Sequence, residues 1–144
     1  MTTRAPAAAI LIRLSVGLIF LTQGILKYTD PNMGVLRFTR IGFPIPDFMA
    51  HLVGAVEMLC GILALIGLWT QFSAIPLLVV ILTAIATTKI PELFRQGFWF
   101  MVSDARTDFA MLMGILFLLI AGAGPWSLDA WLLKRGMDKG DTIC

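Results

Sequence analysis

Glu57 is the only formally charged residue between Leu52 and Trp69, a run long enough to cross a lipid bilayer. A carboxylate near the centre of such a helix costs about 2.5 kcal/mol or more on insertion scales, so it needs a partner or a proton. The chemistry open to Glu57 is that of a proton carrier or hydrogen-bonding group in a polar pocket, which makes it the candidate catalytic residue. The alternative is a fixed ion pair with Lys27 or Lys89.

Opposite charge alone would nominate Arg13 as the partner. Arg13, Gly17, Phe20, Gly24 and Lys27 share one helical face, and Gly54 and Gly61 bracket Glu57 on a similar small-residue face. The two helices are expected to pack through those glycines. Depth separates the charges, however. With the helices antiparallel and rising 1.5 Å per residue, Glu57 lies about 9 Å from the first-loop side and Arg13 about 20 Å from it. Side chains also lean towards their own N-terminus, which moves the two further apart. Arg13 is therefore expected to form a structural pair with Asp129, or to snorkel to lipid phosphates.

Glu57 faces the side where Gln23, Lys27, His51, Thr87, Thr88, Lys89, Arg106 and Asp108 gather. Lys27, His51, Lys89, Arg106 and Asp108 are the candidate ligand-binding residues beside Glu57. Trp99, between Phe98 and Phe100, could wall a ring-shaped ligand such as a quinone headgroup, although the commoner role of such aromatics is an interfacial belt. His51 is the only histidine, the eight Met residues form no Met-x-x-Met cluster, and Cys60 and Cys144 make no CxxC. No metal site and no dithiol chemistry are expected.

These residues need elements to hold them, and the composition says of what kind. Of 144 residues 58% are hydrophobic and 14% charged, with a mean hydropathy of +0.89, far from the soluble average of about 25% charged. The composition therefore predicts an all-α integral membrane bundle, one domain over residues 1–144 with no linker dividing it. Four spans are expected, at about 7–26, 52–68, 72–88 and 107–123. The first, behind Arg4 and an Ala-rich start, runs to Leu26 with no small-residue cleavage site and reads as a retained span. The connection Trp69-Thr70-Gln71 makes the second and third antiparallel neighbours.

The first loop alternates Met33, Val35, Leu36, Phe38, Ile41 and Phe43 with Arg37 and Arg40 before the turn Pro44-Ile45-Pro46, which predicts a short interfacial segment. Gly122 to Pro125 should stop the fourth span, and Ser127 or Asp129 can cap an amphipathic C-terminal segment over about 126–135. Basic residues divide between the terminal side (Arg4, Lys134, Arg135, Lys139) and the loop side (Lys27, Arg37, Arg40, Lys89, Arg95, Arg106). If the loop-side charges are paired and kept for function, both termini are expected in the cytoplasm. A net charge of +2 with scattered basic residues excludes nucleic acid as a partner.

Four stretches together resemble the DoxX family of small bacterial four-helix membrane proteins. They are Arg13-Leu14-Ser15-Val16-Gly17-Leu18-Ile19-Phe20 with Gly24 and Lys27; Gly42-Phe43-Pro44-Ile45-Pro46; Glu57 through Gly61-Ile62-Leu63 to Gly67-Leu68-Trp69; and Gly122 to Asp129. Their order and spacing cover about Arg13 to Trp131. The resemblance implies four helices in the bacterial inner membrane and a role beside redox chemistry. Relatives are described as parts of thiosulfate:quinone oxidoreductase or terminal-oxidase systems, or as membrane partners of thiol and superoxide defence proteins. Asp108 stands where a Glu is often found at the start of the fourth helix. A histidine often seen after the third helix is absent, and that absence argues further against haem or metal.

The function expected is that of an accessory or structural subunit of a membrane, quinone-linked oxidoreductase complex. Its partners would be membrane lipid and other subunits of that complex. It would hold no covalent or metal-ligated cofactor, with a quinone or a lipid as candidate occupant. Two alternatives stay open: a stand-alone quinone-reactive subunit with Glu57 as proton relay, and a small transporter or lipid-binding protein. The lack of an inverted repeat weighs against transport.

Overall fold

The computed structural model describes residues 5–140, so Arg4 and Cys144 lie outside it. The order is α1 (Ala5–Thr29), α2 (Val35–Ile41), α3 (Pro46–Ile66), α4 (Thr70–Ala84), a π-helical turn (Ile85–Lys89), α5 (Ile90–Gln96), α6 (Phe98–Asp104), α7 (Arg106–Ala121) and α8 (Leu128–Gly140). No strand occurs among the described residues.

Among the described residues, three helical stretches are long and apolar enough to cross a membrane: Ala7–Thr29, Pro46–Ile66 and Thr70–Gln96. The fourth stretch expected from the sequence folds as α7, whose 16 residues fall short of that length. Two boundaries move outward by six residues or more. Pro46 starts α3 six residues before Leu52, because proline fits the first helical turn, where its missing N–H has no partner to lose. The third stretch continues beyond Thr88 through the π-helical turn. Pro91 cannot bond to the Thr87 carbonyl and its ring crowds that position, so the helix widens just before it rather than ending.

Two kinds of contact hold the bundle. Between α1 and α3 the backbones touch. A Cβ on Gly24 would lie 2.8 Å from the Gly54 carbonyl oxygen and 3.0 Å from the Met58 nitrogen. One on Gly61 would lie 3.0 Å from both the Gly17 oxygen and the Leu21 nitrogen. Small residues permit such an approach, and dispersion along the seam supplies the attraction that lipid does not. On the other side of α1, side chains interlock: Val16 and Phe20 pack with Ala74, Leu77 and Ile81 of α4 and Met111, Ile115 and Leu118 of α7.

Gly24→Ala is expected to push α1 and α3 apart, because backbone atoms cannot rotate away, at a cost of about 1–3 kcal/mol. Gly136→Ala, in α8 with open space around it, should be harmless. Thermal melts in detergent would check the pair, and equal melting temperatures for both variants would contradict the seam.

Candidate functional site

The α1–α3 seam places Lys27 opposite Glu57. Lys27 lies in the last turn of α1, where a cation is favoured by the helix dipole, and Glu57 lies one helical turn beyond Gly54. Lys27 Nζ donates to Glu57 Oε2 at 2.5 Å, and Glu57 is only 3% exposed. The bond engages one carboxylate oxygen and one of three ammonium protons, so both groups keep capacity for further hydrogen bonds.

Both line a cavity of about 230 Å³ between α1, α2, α3, α4 and α7. Its walls are mostly apolar, with Phe20, Phe38, Val53, Val80 and Met111 among them. At one edge Arg37 of α2 reaches across to the π-helical turn, where its Nη2 donates to Thr88 Oγ1 at 3.3 Å. Asp108, in the first turn of α7, also faces the cavity.

Lys89 does not meet Glu57. The π-helical turn carries it to the opposite side of the wall, where it is buried and hydrogen-bonded to Asp104. Asp108 Oδ2 lies 3.5 Å and Glu92 Oε2 3.7 Å from its Nζ. The hydrogen bond from Lys89 holds the Asp104 carboxyl below the usual carboxylate range, although partial burial opposes this. Glu92 Oε2 is buried without a hydrogen-bond partner.

Of the polar residues expected around Glu57, Gln23, Lys27, Thr87, Thr88 and Asp108 line the cavity with it. Lys89 reaches it only through Asp108. His51, Trp99 and Arg106 do not contribute to its wall. His51 sits at the surface, with its Nδ1 2.7 Å from the Asp47 carbonyl oxygen and its ring edge-on to Tyr28. Trp99 is 83% exposed. Arg106 turns back to donate to the Ser103 carbonyl. Arg37 was missed as a wall residue. Its signal was the pairing with Phe38 in a segment closed by Gly42, which lets α2 present both to the bundle.

The expected direct pair of Arg13 with Asp129 is replaced by an indirect one. Arg13 donates to the carbonyls of Ala64, Leu65, Ala123 and Trp126, at 2.9–3.1 Å. Ala64 and Leu65 are among the acceptors that α3 leaves open in its last turn, and Ala123 and Trp126 belong to the loop between α7 and α8. Asp129 accepts from the N–H groups of Trp69 and Thr70, capping α4 from a distance. Its own N–H donates to the Gly67 carbonyl. Arginine and aspartate thus grip the two sides of the α3–α4 turn, each taking the backbone groups that helix ends leave open. Ser127 Oγ accepts from Ala130 N and caps α8.

The family model described as DoxX matches residues 8–90, which carry the glycine seam, Lys27, Arg37, Glu57 and Lys89. "Uncharacterized membrane protein Rv3486" of Mycobacterium tuberculosis is 48% identical over 142 residues, covering 94% of this chain and 87% of that protein. "Putative oxidoreductase CatD" of Bacillus subtilis is 27% identical over 133 residues, covering 92% of each. No solved structure matches the chain. Matched by the family model over more than half its length, and by the mycobacterial membrane protein over nearly all of it, the chain belongs to the DoxX family of membrane proteins.

Proposed function

We propose that this chain is a quinone-binding subunit of a membrane redox complex and that the cavity holds the quinone headgroup. The observation that carries this is the Lys27–Glu57 pair, buried at an apolar wall with donors and an acceptor still unused. An apolar enclosure with a few convergent polar groups is the usual form of a small-molecule site. At about 230 Å³ it suits one ring system rather than a drug-sized ligand, whose pockets run to about 300–1,000 Å³. The Bacillus subtilis relative named as an oxidoreductase supports the redox setting.

In this reading Lys27 donates to a quinone carbonyl while Glu57 keeps the ammonium charged and placed. Reduction to the quinol takes two electrons from a redox-active partner subunit and two protons from water. Residues 1–144 act as one domain in the bacterial inner membrane, with both termini in the cytoplasm. There α7 serves as the fourth span, about 24 Å long at 1.5 Å per residue. A bilayer thinned at that point accommodates it.

The test is binding of a short-chain benzoquinone to the purified protein in lipid nanodiscs, measured by titration calorimetry against empty nanodiscs. Losing a hydrogen bond to a charged group costs about 1.5–3 kcal/mol, so Glu57→Gln should weaken binding about 10- to 100-fold on the folded fraction. No saturable binding by the wild type, or equal affinity in the variant, would overturn the headgroup site. A tightly held phospholipid in its place would favour the lipid-binding reading. Purification in mild detergent tests the complex, since a chain that runs without an oxidoreductase subunit counts against it.

A further inference from the structure

We infer that Asp104, Lys89 and Asp108 form a proton relay joining the cavity to water on the loop side. The inference rests on the proposed quinone occupant and says how that ligand obtains its protons. Its basis is an unbroken series of contacts. Asp108 lines the cavity, and its Oδ2 lies 3.5 Å from Lys89 Nζ. Lys89 has a side chain only 8% exposed, and it is hydrogen-bonded to Asp104, whose side chain is 51% exposed. The series therefore runs from cavity wall to solvent through one buried ammonium.

Two features fit a relay better than a structural lock. A lock needs one carboxylate, whereas three surround Lys89: Asp104 from α6, Asp108 from α7 and Glu92 from α5. With three carboxylates to one ammonium, the cluster has room for an extra proton without losing its ion pair. The Oε2 atom of Glu92, buried and without a hydrogen-bond partner, is one place such a proton can rest. The other nearby cation, Arg37, is turned to Thr88. The second feature is the aim of Lys89. A π-helical turn winds more slowly than an α-helix, so at its last residue, Lys89, the side chain has rotated away from its α-helical register. That rotation turns Lys89 towards α6 and α7.

The proton count closes. Reducing a 1,4-quinone consumes two electrons from the redox partner and two protons. Each proton enters on Asp104 from water. Lys89 gives one of its own protons to Asp108 as it takes that from Asp104. Asp108 loses the proton as an O–H bond forms on the ligand.

Protein-film voltammetry of the nanodisc-embedded chain loaded with a decyl-chain 1,4-benzoquinone tests this without the partner, because the electrode supplies the electrons. The double variant Asp104→Asn with Glu92→Gln leaves Lys89 its contact with Asp108 and touches no cavity wall. Its proton-coupled electron transfer should slow on the order of a hundredfold, the usual contribution of a positioned proton donor. Asp108→Asn should slow it similarly, and Asp108→Glu should restore much of the rate, which a merely structural role would not predict. A bound-quinone wave as fast in the double variant and in Asp108→Asn as in the wild type would overturn the relay alone. Absence of that wave in the wild type would overturn the quinone reading and the relay with it.

Discussion

Arg13→Leu should be the most damaging single change in the protein, at about 4 kcal/mol or more, and Arg13→Lys should recover little of the loss. Hydrogen bonds to charged groups are worth about 1.5–3 kcal/mol each, and the guanidinium makes four, two to the end of α3 and two to the α7–α8 loop. Leucine would leave those acceptors open in a closed environment. Lysine brings a point charge with three donors and no planar fork, so it cannot reach both segments together. Unfolding by SDS titration in mixed micelles would measure the effect. An Arg13→Lys variant with wild-type stability would show that charge, not the fork, matters. Gly67 should be similarly intolerant, because a Cβ there would lie 2.8 Å from the Arg13 guanidinium carbon and its φ is +72°.

The second large effect concerns the Lys27–Glu57 pair and differs in kind. Lys27→Met leaves a buried carboxylate alone, and Glu57→Met leaves a buried ammonium alone; each should cost about 3–5 kcal/mol. The double variant removes both charges together and should regain most of that loss, since burying an ion pair costs about as much as its attraction returns. A double-mutant cycle read by the same unfolding assay decides the matter. Additive losses would mean that the two side chains act independently, against the 2.5 Å contact. Regained stability without regained quinone binding would separate the pair's contribution to the fold from its contribution to the ligand.

How much of this was legible in the sequence varied with the kind of partner each residue takes. Glu57 was legible because a charge in an apolar run stands out, and depth arithmetic excluded Arg13 and left Lys27 among few candidates. The glycine seam was legible because small residues recurred on facing stripes. Arg13 was legible only as far as its direction. Its partners are backbone carbonyls, which every residue has, so no letter marks them and the acid at Asp129 drew attention instead. Lys89 was misplaced because its direction depends on a π-helical turn, and an α-helical count projects it wrongly. Arg37 was missed because α2 was read as lying along the membrane surface, whereas Phe38 is buried and brings its neighbour to the cavity.

The glycine seam also governs how the cavity can change size. Where backbone meets backbone there are no rotamers to give way, so α1 and α3 behave as a fixed jaw carrying Lys27 and Glu57. The facing wall is made of Val79, Val80 and Thr83 side chains of α4 and Met111 of α7, while α2 packs on α3 and reaches the π-helical turn by one 3.3 Å hydrogen bond from Arg37. A ligand of different bulk would therefore be accommodated by the side chains of α4 and α7, while the charged pair stays at a constant position. Variation in ligand size among relatives should then be written in the residues of α4 and α7, with the glycines of α1 and α3 left unchanged.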